Sequence, residues 1–295
     1  MRLLHVVAKR GGGVGRYLSI IERAGERIWE VGTGPPPGGY DALILHGVVP
    51  HRLLPEGPKL LYLHGLRAVS RRIVLGEREF NPLHILKLLR FRRYLSGFSG
   101  FLFPSGAIRR RASRIYGVGG EVVYLPFDIP LPEGLRTVPR GGEILWVGRR
   151  SWIKGLDTLL QVAGRLPDWN FRVVGVEGES RGNVLFLGRV SHSDLLRLYA
   201  RATFTLITSY YESFSYVVLE SASQGTPILV LRRAEGAAEI LRILGFGRVM
   251  DNANDLIDYL ANYTPEEFSL RPVGEIFRVD GHLERLREAS EKLLQ

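Results

Sequence analysis

The sequence predicts an α/β protein made of two doubly wound domains. Three observations predict it. Over residues 144–250, short β-rich apolar runs alternate with segments of helical periodicity, the pattern of a parallel sheet covered by helices on both faces. The first half holds its own series of apolar runs, several ending in His-Gly or Ser. A Pro/Gly-rich stretch over 129–142 reads as the linker between them. The expected domains are 1–137 and 138–281, and 295 residues with 45% hydrophobic content suffice to give each a core.

Composition narrows the classes. There is no cysteine, which excludes disulfides, thiolate metal sites and cysteine nucleophiles. No apolar run approaches the ~20 residues of a membrane-spanning helix. The chain enters a strand at once, Met1-Arg2-Leu3-Leu4-His5-Val6-Val7, so we expect no leader peptide and a cytoplasmic protein. The net charge of +10 is uneven. Residues 1–140 hold 22 Lys/Arg against 10 Asp/Glu, whereas residues 141–295 hold 18 against 20. An anionic partner is expected for the first half: a lipid surface, a phosphorylated acceptor or nucleic acid.

In chain order, the first strand runs into Gly11-Gly12-Gly13-Val14-Gly15 and an amphipathic helix from Arg16 to about Ile28. Glycines between strand and helix let a ligand approach the backbone, although a tight turn accounts for them equally. Asp41–Gly47 and Lys59–Gly65 are apolar strands ending in His46-Gly47 and His64-Gly65. Strand carboxyl ends in parallel sheets open onto the ligand crevice, so both imidazoles are candidates. Residues 67–93 carry Arg67, Arg71, Arg72, Arg78, Lys87, Arg90, Arg92 and Arg93. Within them, Pro82–Leu95 reads as a helix with an apolar and a cationic face, suited to an anionic membrane or to a core-packed helix with a solvated basic side. Gly100–Ser105 is a strand, Ala107–Tyr116 an Arg-rich helix, and Val122–Asp128 the last strand of the domain. The second half continues with elements at 144–147, 156–165, 171–176, 184–187, 193–201, 204–208, 216–224, 228–231, 248–250 and 254–262, then a terminal helix over 282–295.

The central stretch is Thr208-Ser209-Tyr210-Tyr211-Glu212-Ser213-Phe214-Ser215-Tyr216-Val217-Val218-Leu219-Glu220. A buried strand, Ala202–Ile207, precedes it, and a helix opens near Phe214 and ends at Gly225-Thr226-Pro227. The free N–H groups of such a helix start bind phosphate. Glu212 and Glu220 match the Glu-x7-Glu signature of the retaining glycosyltransferases of the glycogen-synthase-like family 4. Val147-Gly148-Arg149-Arg150-Ser151-Trp152-Ile153-Lys154-Gly155 resembles that family's Gly-Arg-x4-Lys-Gly, and Asn183–Gly188 resembles its Asn-Val-x-Phe-x-Gly strand. The three signatures come in family order and cover residues 143–240 closely; the first half is similar only loosely.

The resemblance implies the GT-B architecture, two Rossmann-like domains facing a central cleft, with the terminal helix returning to the first domain. It implies a hexosyl transfer from a nucleotide-diphosphate sugar, with retention and no cofactor. His64 is similar to the family histidine near the donor sugar, and Gly13 falls in the loop that faces the donor phosphates. Glu212 is expected beside the transferred sugar and Glu220 on the ribose hydroxyls. The loop Gly188-Arg189-Val190 is expected near the base. The departing diphosphate needs cations or N–H groups. The chain has no Asp-x-Asp for a metal, so the expectation is metal-independent stabilisation by Arg149, Lys154 and the N–H groups at Phe214, Ser215, Tyr216 and Val217. One departure stands out: Ser215 replaces the family's usual glycine. The acceptor, a sugar or a lipid-linked molecule, is not legible. An epimerase or phosphorylase of the same architecture is the competing enzyme reading. A nucleic-acid-binding protein using the basic half is the competing non-enzyme reading. Against it, the Arg clusters carry no nucleic-acid motif.

Overall fold

The computed structural model describes residues 1–66, 71–75, 81–132, 135–138, 142–273 and 275–295. Arg67 and Arg78 of the expected basic cluster lie outside them. The chain forms two compact units, Met1–Asp128 with Gly274–Gln295, and Ile129–Val273.

The first unit contains β1 (Leu3–Val7), α1 (Gly12–Arg23), β2 (Arg27–Glu30), β3 (Ala42–Leu45), β4 (Lys59–Tyr62), α2 (Arg71–Val74), α3 (Pro82–Leu95), β5 (Gly100–Phe103), α4 (Gly106–Tyr116) and β6 (Glu121–Val122). Its sheet has the order β2-β1-β3-β4-β5-β6, parallel throughout. The strand order reverses at β1 and β3, the place where ligands bind in open α/β sheets.

Two sequence readings change here. The helix expected from Arg16 to about Ile28 starts at Gly12 and stops at Arg23. Glycines are tolerated in a first turn, where the N–H groups have no intrahelical partner anyway. Gly25, at φ +92°, then turns the chain into β2. The second change concerns α3. Asn81 caps it by accepting from Leu83 N, with Pro82 in the first turn. Only Phe91 and Leu95 are buried; Leu83, Ile85, Leu86 and Leu89 are 68%, 42%, 44% and 53% exposed. The first half of this helix is therefore not a core-packed element. Among the described residues, no helix is long and apolar enough to cross a membrane.

The second unit contains β7 (Leu135–Val138), β8 (Gly142–Val147), α5 (Leu156–Gly164), β9 (Trp169–Val174), β10 (Val184–Gly188), α6 (His192–Arg201), β11 (Phe204–Ile207), α7 (Tyr216–Ser223), β12 (Ile228–Leu231), α8 (Glu235–Leu244), β13 (Gly247–Met250), α9 (Ala253–Ala261) and β14 (Glu266–Ser269). Six strands form a parallel sheet in the order β10-β9-β8-β11-β12-β13, the Rossmann order, which reverses between β8 and β11. The doubly wound expectation holds for this unit as for the first. The stretch read as linker contains β7, which pairs antiparallel with β14 and so belongs to the second unit. The sequence reading missed α8, although Ala237, Ala238, Ile240, Leu241 and Leu244 bury its inner face.

The chain then returns to the first unit as α10 (Val279–Leu294), which buries His282, Leu283, Leu286 and Ser290. Phe127 N donates to Phe277 O at 2.7 Å, joining the two passages of chain in that unit.

Asn183 shows how a family signature residue serves the fold. Its side-chain amide reaches the carbonyls of Ala163, Leu166 and Trp169 at 3.2, 2.8 and 2.7 Å, tying the end of α5 to the start of β9. Asn183→Ala leaves these part-buried carbonyls without that donor. We expect a loss of about 1–3 kcal/mol in urea unfolding. Unchanged stability would show that the three contacts are dispensable.

Candidate active site

The loops after β8 and β11 meet at the reversal point of the second sheet. After β8 the chain passes Gly148 and Arg149 and makes a short 3₁₀ turn, Trp152–Lys154, closed by Gly155 in the left-handed conformation at φ +67°. A Cβ on Gly155 would stand 2.2 Å from Thr208 O, at the end of β11, so both its conformation and the space require glycine. Thr208 completes the junction. Its hydroxyl accepts from Trp146 Nε1 at 2.9 Å and donates to Gly155 O at 2.8 Å. Tyr210 N donates to Ile153 O at 2.7 Å.

This junction brings Lys154 and Glu212 together. Lys154 Nζ lies 2.6 Å from Glu212 Oε1, and Ser209 Oγ donates to the same oxygen at 2.8 Å. The lysine side chain is 25% exposed and the glutamate 13%, so the pair is partly desolvated yet reachable. Arg149 is exposed and makes no hydrogen bond or ion pair with a described residue. A guanidinium in that state can take a phosphate without breaking another contact.

The helix expected to open near Phe214 starts at Tyr216, with Ser215 as N-cap. The Phe214 ring is only 6% exposed and packs edge-on against Tyr216 at 5.5 Å, so the backbone is what it can offer a ligand. Ser215 makes no side-chain cap hydrogen bond, so its hydroxyl does not occupy the first N–H groups of α7, at Tyr216 and Val217. Glu220 lies on the second turn, 6% exposed, and its Oε2 accepts from Tyr199 OH at 2.9 Å. Arg189 is exposed after β10; Val190 is half-buried against a core cluster of Leu145, Val174, Tyr199 and Ala202.

Two residues that the sequence reading missed hold this loop. The Arg233 guanidinium stacks 3.7 Å from the centre of the Tyr210 ring and donates to Thr158 Oγ1 and Thr208 O at 2.7 and 2.8 Å. Gly236, in the first turn of α8, donates its N–H to Glu212 O at 3.0 Å. A Cβ there would come within 2.5 Å of Glu212 O and of the Ser213 carbonyl carbon. Neither residue belongs to a local motif; an arginine and a glycine soon after a strand were the only signals.

In the first unit, His46 and His64 line one small open pocket with Val14, Gly47, Tyr62 and Phe91. His46 Nδ1 and His64 Nε2 are 2.8 Å apart. Gly13 is exposed in the first turn of α1. His5 and His282, which the sequence reading did not select, are fully buried beside them. Burial holds His5 below the ordinary imidazole pKa and His46 well below it, and pushes His282 down to about 3. Among the described residues, no group of three or more His, Cys, Asp or Glu side chains is placed to hold a metal ion.

Residues 138–263 match the family described as Glycosyl transferases group 1. Over 234 residues the chain is 32% identical to a glycogen synthase of Mycobacterium tuberculosis (strain CDC 1551 / Oshkosh), covering 70% of this chain and 55% of that protein. It is 32% identical over 108 residues to a D-inositol 3-phosphate glycosyltransferase of Mycobacterium sp. (strain KMS), covering 31% and 25%. The chain thus spans about half the length of the first of these relatives and a quarter of the second. Among solved structures, sucrose-phosphate synthase from Thermosynechococcus elongatus superposes with a TM-score of 0.62 at 16% identity, covering 100% of this chain and 96% of that one. The lipopolysaccharide outer core galactosyltransferase WaaB superposes with a TM-score of 0.63 at 13% identity, covering 99% of both. These likenesses show a two-domain, Rossmann-like GT-B fold.

The buried imidazoles predict a pH dependence of stability. Each is neutral when folded and protonates in the unfolded chain below about pH 6.5. The unfolded state then binds more protons, so stability falls as pH drops from about 6.5 towards their depressed native values. The limiting slope is about 1.4 kcal/mol per pH unit for each imidazole. Urea unfolding at pH 7.5 and pH 5 should differ by several kcal/mol; equal stabilities would mean that the imidazoles accept protons in place.

Proposed function

We propose that this chain, which carries a glycosyl transferases group 1 domain over residues 138–263, is a glycosyltransferase that takes a sugar from a nucleotide-diphosphate donor. The observation that carries this reading is the Lys154–Glu212 contact at the reversal point of the second sheet, with Arg149 on the loop after β8 and the α7 N-terminus on the loop after β11, the neighbouring strand. A diphosphate needs positive charge at close range, and the site offers it in several forms. Arg149 supplies a fork for two phosphate oxygens, Lys154 a movable ammonium, and α7 its first N–H groups and dipole. Glu212 holds Lys154 at 2.6 Å and aims it. On this reading Glu220, held by Tyr199, faces the ribose, and Glu212 also faces the transferred sugar.

On this reading the transfer proceeds with retention and without a metal. The bond from the anomeric carbon to the diphosphate oxygen breaks, and the acceptor oxygen bonds to the same face. The acceptor's proton passes to the leaving phosphate, and fixed cations balance the charge that develops there. The relatives' names name different acceptors, so they do not choose one for this chain.

The first unit favours an acceptor at an anionic lipid surface. Exposed Leu83, Leu86 and Leu89 share α3 with Lys87, Arg90 and Arg93, so apolar insertion and attraction to headgroups are available together. On this reading the protein sits peripherally on the cytoplasmic side of a membrane.

Two measurements test these proposals. Calorimetric titration of UDP, GDP and ADP without metal should show one of them binding, with affinity reduced at least tenfold in Arg149→Ala. If none binds, with or without magnesium, the donor assignment is wrong. Co-sedimentation should show binding to phosphatidylglycerol vesicles, weak binding to phosphatidylcholine, and loss of binding in Leu86→Glu/Leu89→Glu. Indifference to lipid charge or to the double substitution would remove the membrane from the proposal.

A further inference from the structure

The first unit holds a row of imidazoles that the donor site does not use. His5 lies in β1, His46 directly follows β3, and His64 lies two residues past β4. These strands are neighbours in the sheet, and the rings step across it with centroids 5.1 Å apart at each step. His5 Nδ1 is 2.8 Å from His46 Nε2, and His46 Nδ1 is 2.8 Å from His64 Nε2. At the inner end, His5 Nε2 faces Glu26 Oε2 at 3.5 Å, beyond a normal hydrogen bond but close for a charge and a dipole. The Glu26 side chain is 8% exposed, and its Oε1 takes the guanidinium of Arg287 from α10. His5, with the Arg287 charge, holds this carboxyl below the ordinary carboxylate range, so it is ionised at neutral pH.

A row of neutral imidazoles can be protonated in either of two senses. The charge of Glu26 selects one. A carboxylate repels a lone pair, so His5 must carry its proton on Nε2. His5 Nδ1 is then an acceptor and needs a proton on His46 Nε2. His46 Nδ1 is an acceptor in turn and needs a proton on His64 Nε2. His282 provides a contrast. Its Nδ1 faces Tyr124 O at 2.8 Å, a carbonyl that can only accept, and its Nε2 faces Tyr17 OH at 3.2 Å. It therefore holds the opposite tautomer. The rings of Tyr17 and Tyr62 enclose the row, with Tyr17 against His46 at 5.1 Å and Tyr62 against His64 at 4.5 Å.

We propose that Glu26, His5 and His46 are positioning residues that set the tautomer of His64 from the far side of the sheet. Neutral His64 is thereby protonated on Nε2 and is an acceptor at Nδ1. An imidazole in that state takes a hydrogen bond from a hydroxyl and disfavours a phosphate oxygen. The ordering of the tautomers does not depend on the glycosyltransferase reading.

The test needs no substrate. In protein labelled with ¹⁵N-histidine, two-bond ¹H–¹⁵N correlations at pH 7.5 report which nitrogen of each neutral ring carries the proton. His5, His46 and His64 should all be Nε2–H, and His282 should be Nδ1–H. Glu26→Gln keeps the shape and removes the charge. Its amide oxygen stays with Arg287, so its NH2 group turns to His5, and all three rings should switch to Nδ1–H. Adding His46→Leu should break the row and leave His64 insensitive to Glu26→Gln. An Nδ1–H proton on His5, His46 or His64 in the unsubstituted protein overturns the proposal, and so does a His64 tautomer unmoved by Glu26→Gln. The first measurement decides the matter even if a variant fails to fold. Failure of nucleotide binding would leave these spectra unchanged, so the two readings fail separately.

Discussion

The candidate donor site depends on one close approach, that of Gly155 to Thr208. Gly155 ends the turn after β8 and Thr208 begins the loop after β11, the neighbouring strand, and no side chain fits between their backbones. Because Gly155 closes the turn that carries Lys154, and Thr208 begins the loop that carries Glu212, the approach fixes how far apart the ammonium and the carboxylate can be. Trp146 from below, and Arg233 and Gly236 from the side, hold the same junction. Arg149 stays outside this network. The division suits the proposed function: the group proposed to meet a phosphate is left exposed, while the groups of the junction beside it are tied down.

The two units meet charge in different ways. The second keeps Lys154 and Glu212 partly in solvent and pairs them. The first buries imidazoles where ionisation is penalised, and it keeps one ionised carboxylate beside an arginine. A charge at the edge of a neutral hydrogen-bonded row can order the row without moving a proton along it. The basic excess of the first unit stands apart from both, on α3 and its neighbours, where leucines as well as arginines face solvent.

Much of the second unit was legible because its signals are local. The strand-glycine-arginine run at 147–155 and the strand-loop-helix run at 204–224 each contain the residues of one βα junction, and the spacing from Glu212 to Glu220 is set within one loop and helix. Element boundaries moved where local signals conflict. Gly12, Gly13 and Gly15 read as a loop but form the start of α1, and Arg27 and Ile28 read as the end of a helix but belong to β2. The Pro/Gly composition of 129–142 concealed β7, whose partner β14 lies more than a hundred residues away.

The sequence by itself determined the alternation of strand and helix, the doubly wound class, and the charged residues placed at the strand ends of the second half. Periodicity and glycine placement act over a few residues, and a few residues are enough to express them. Only the tertiary structure decided which side chains meet across strands. His5, His46 and His64 belong to three strands, and their contact needs the strand order, the register and the pleat together. The same holds for Arg233 on Tyr210 and for Tyr199 on Glu220. Long-range juxtaposition is a property of the assembled sheet, and no run of adjacent residues contains it.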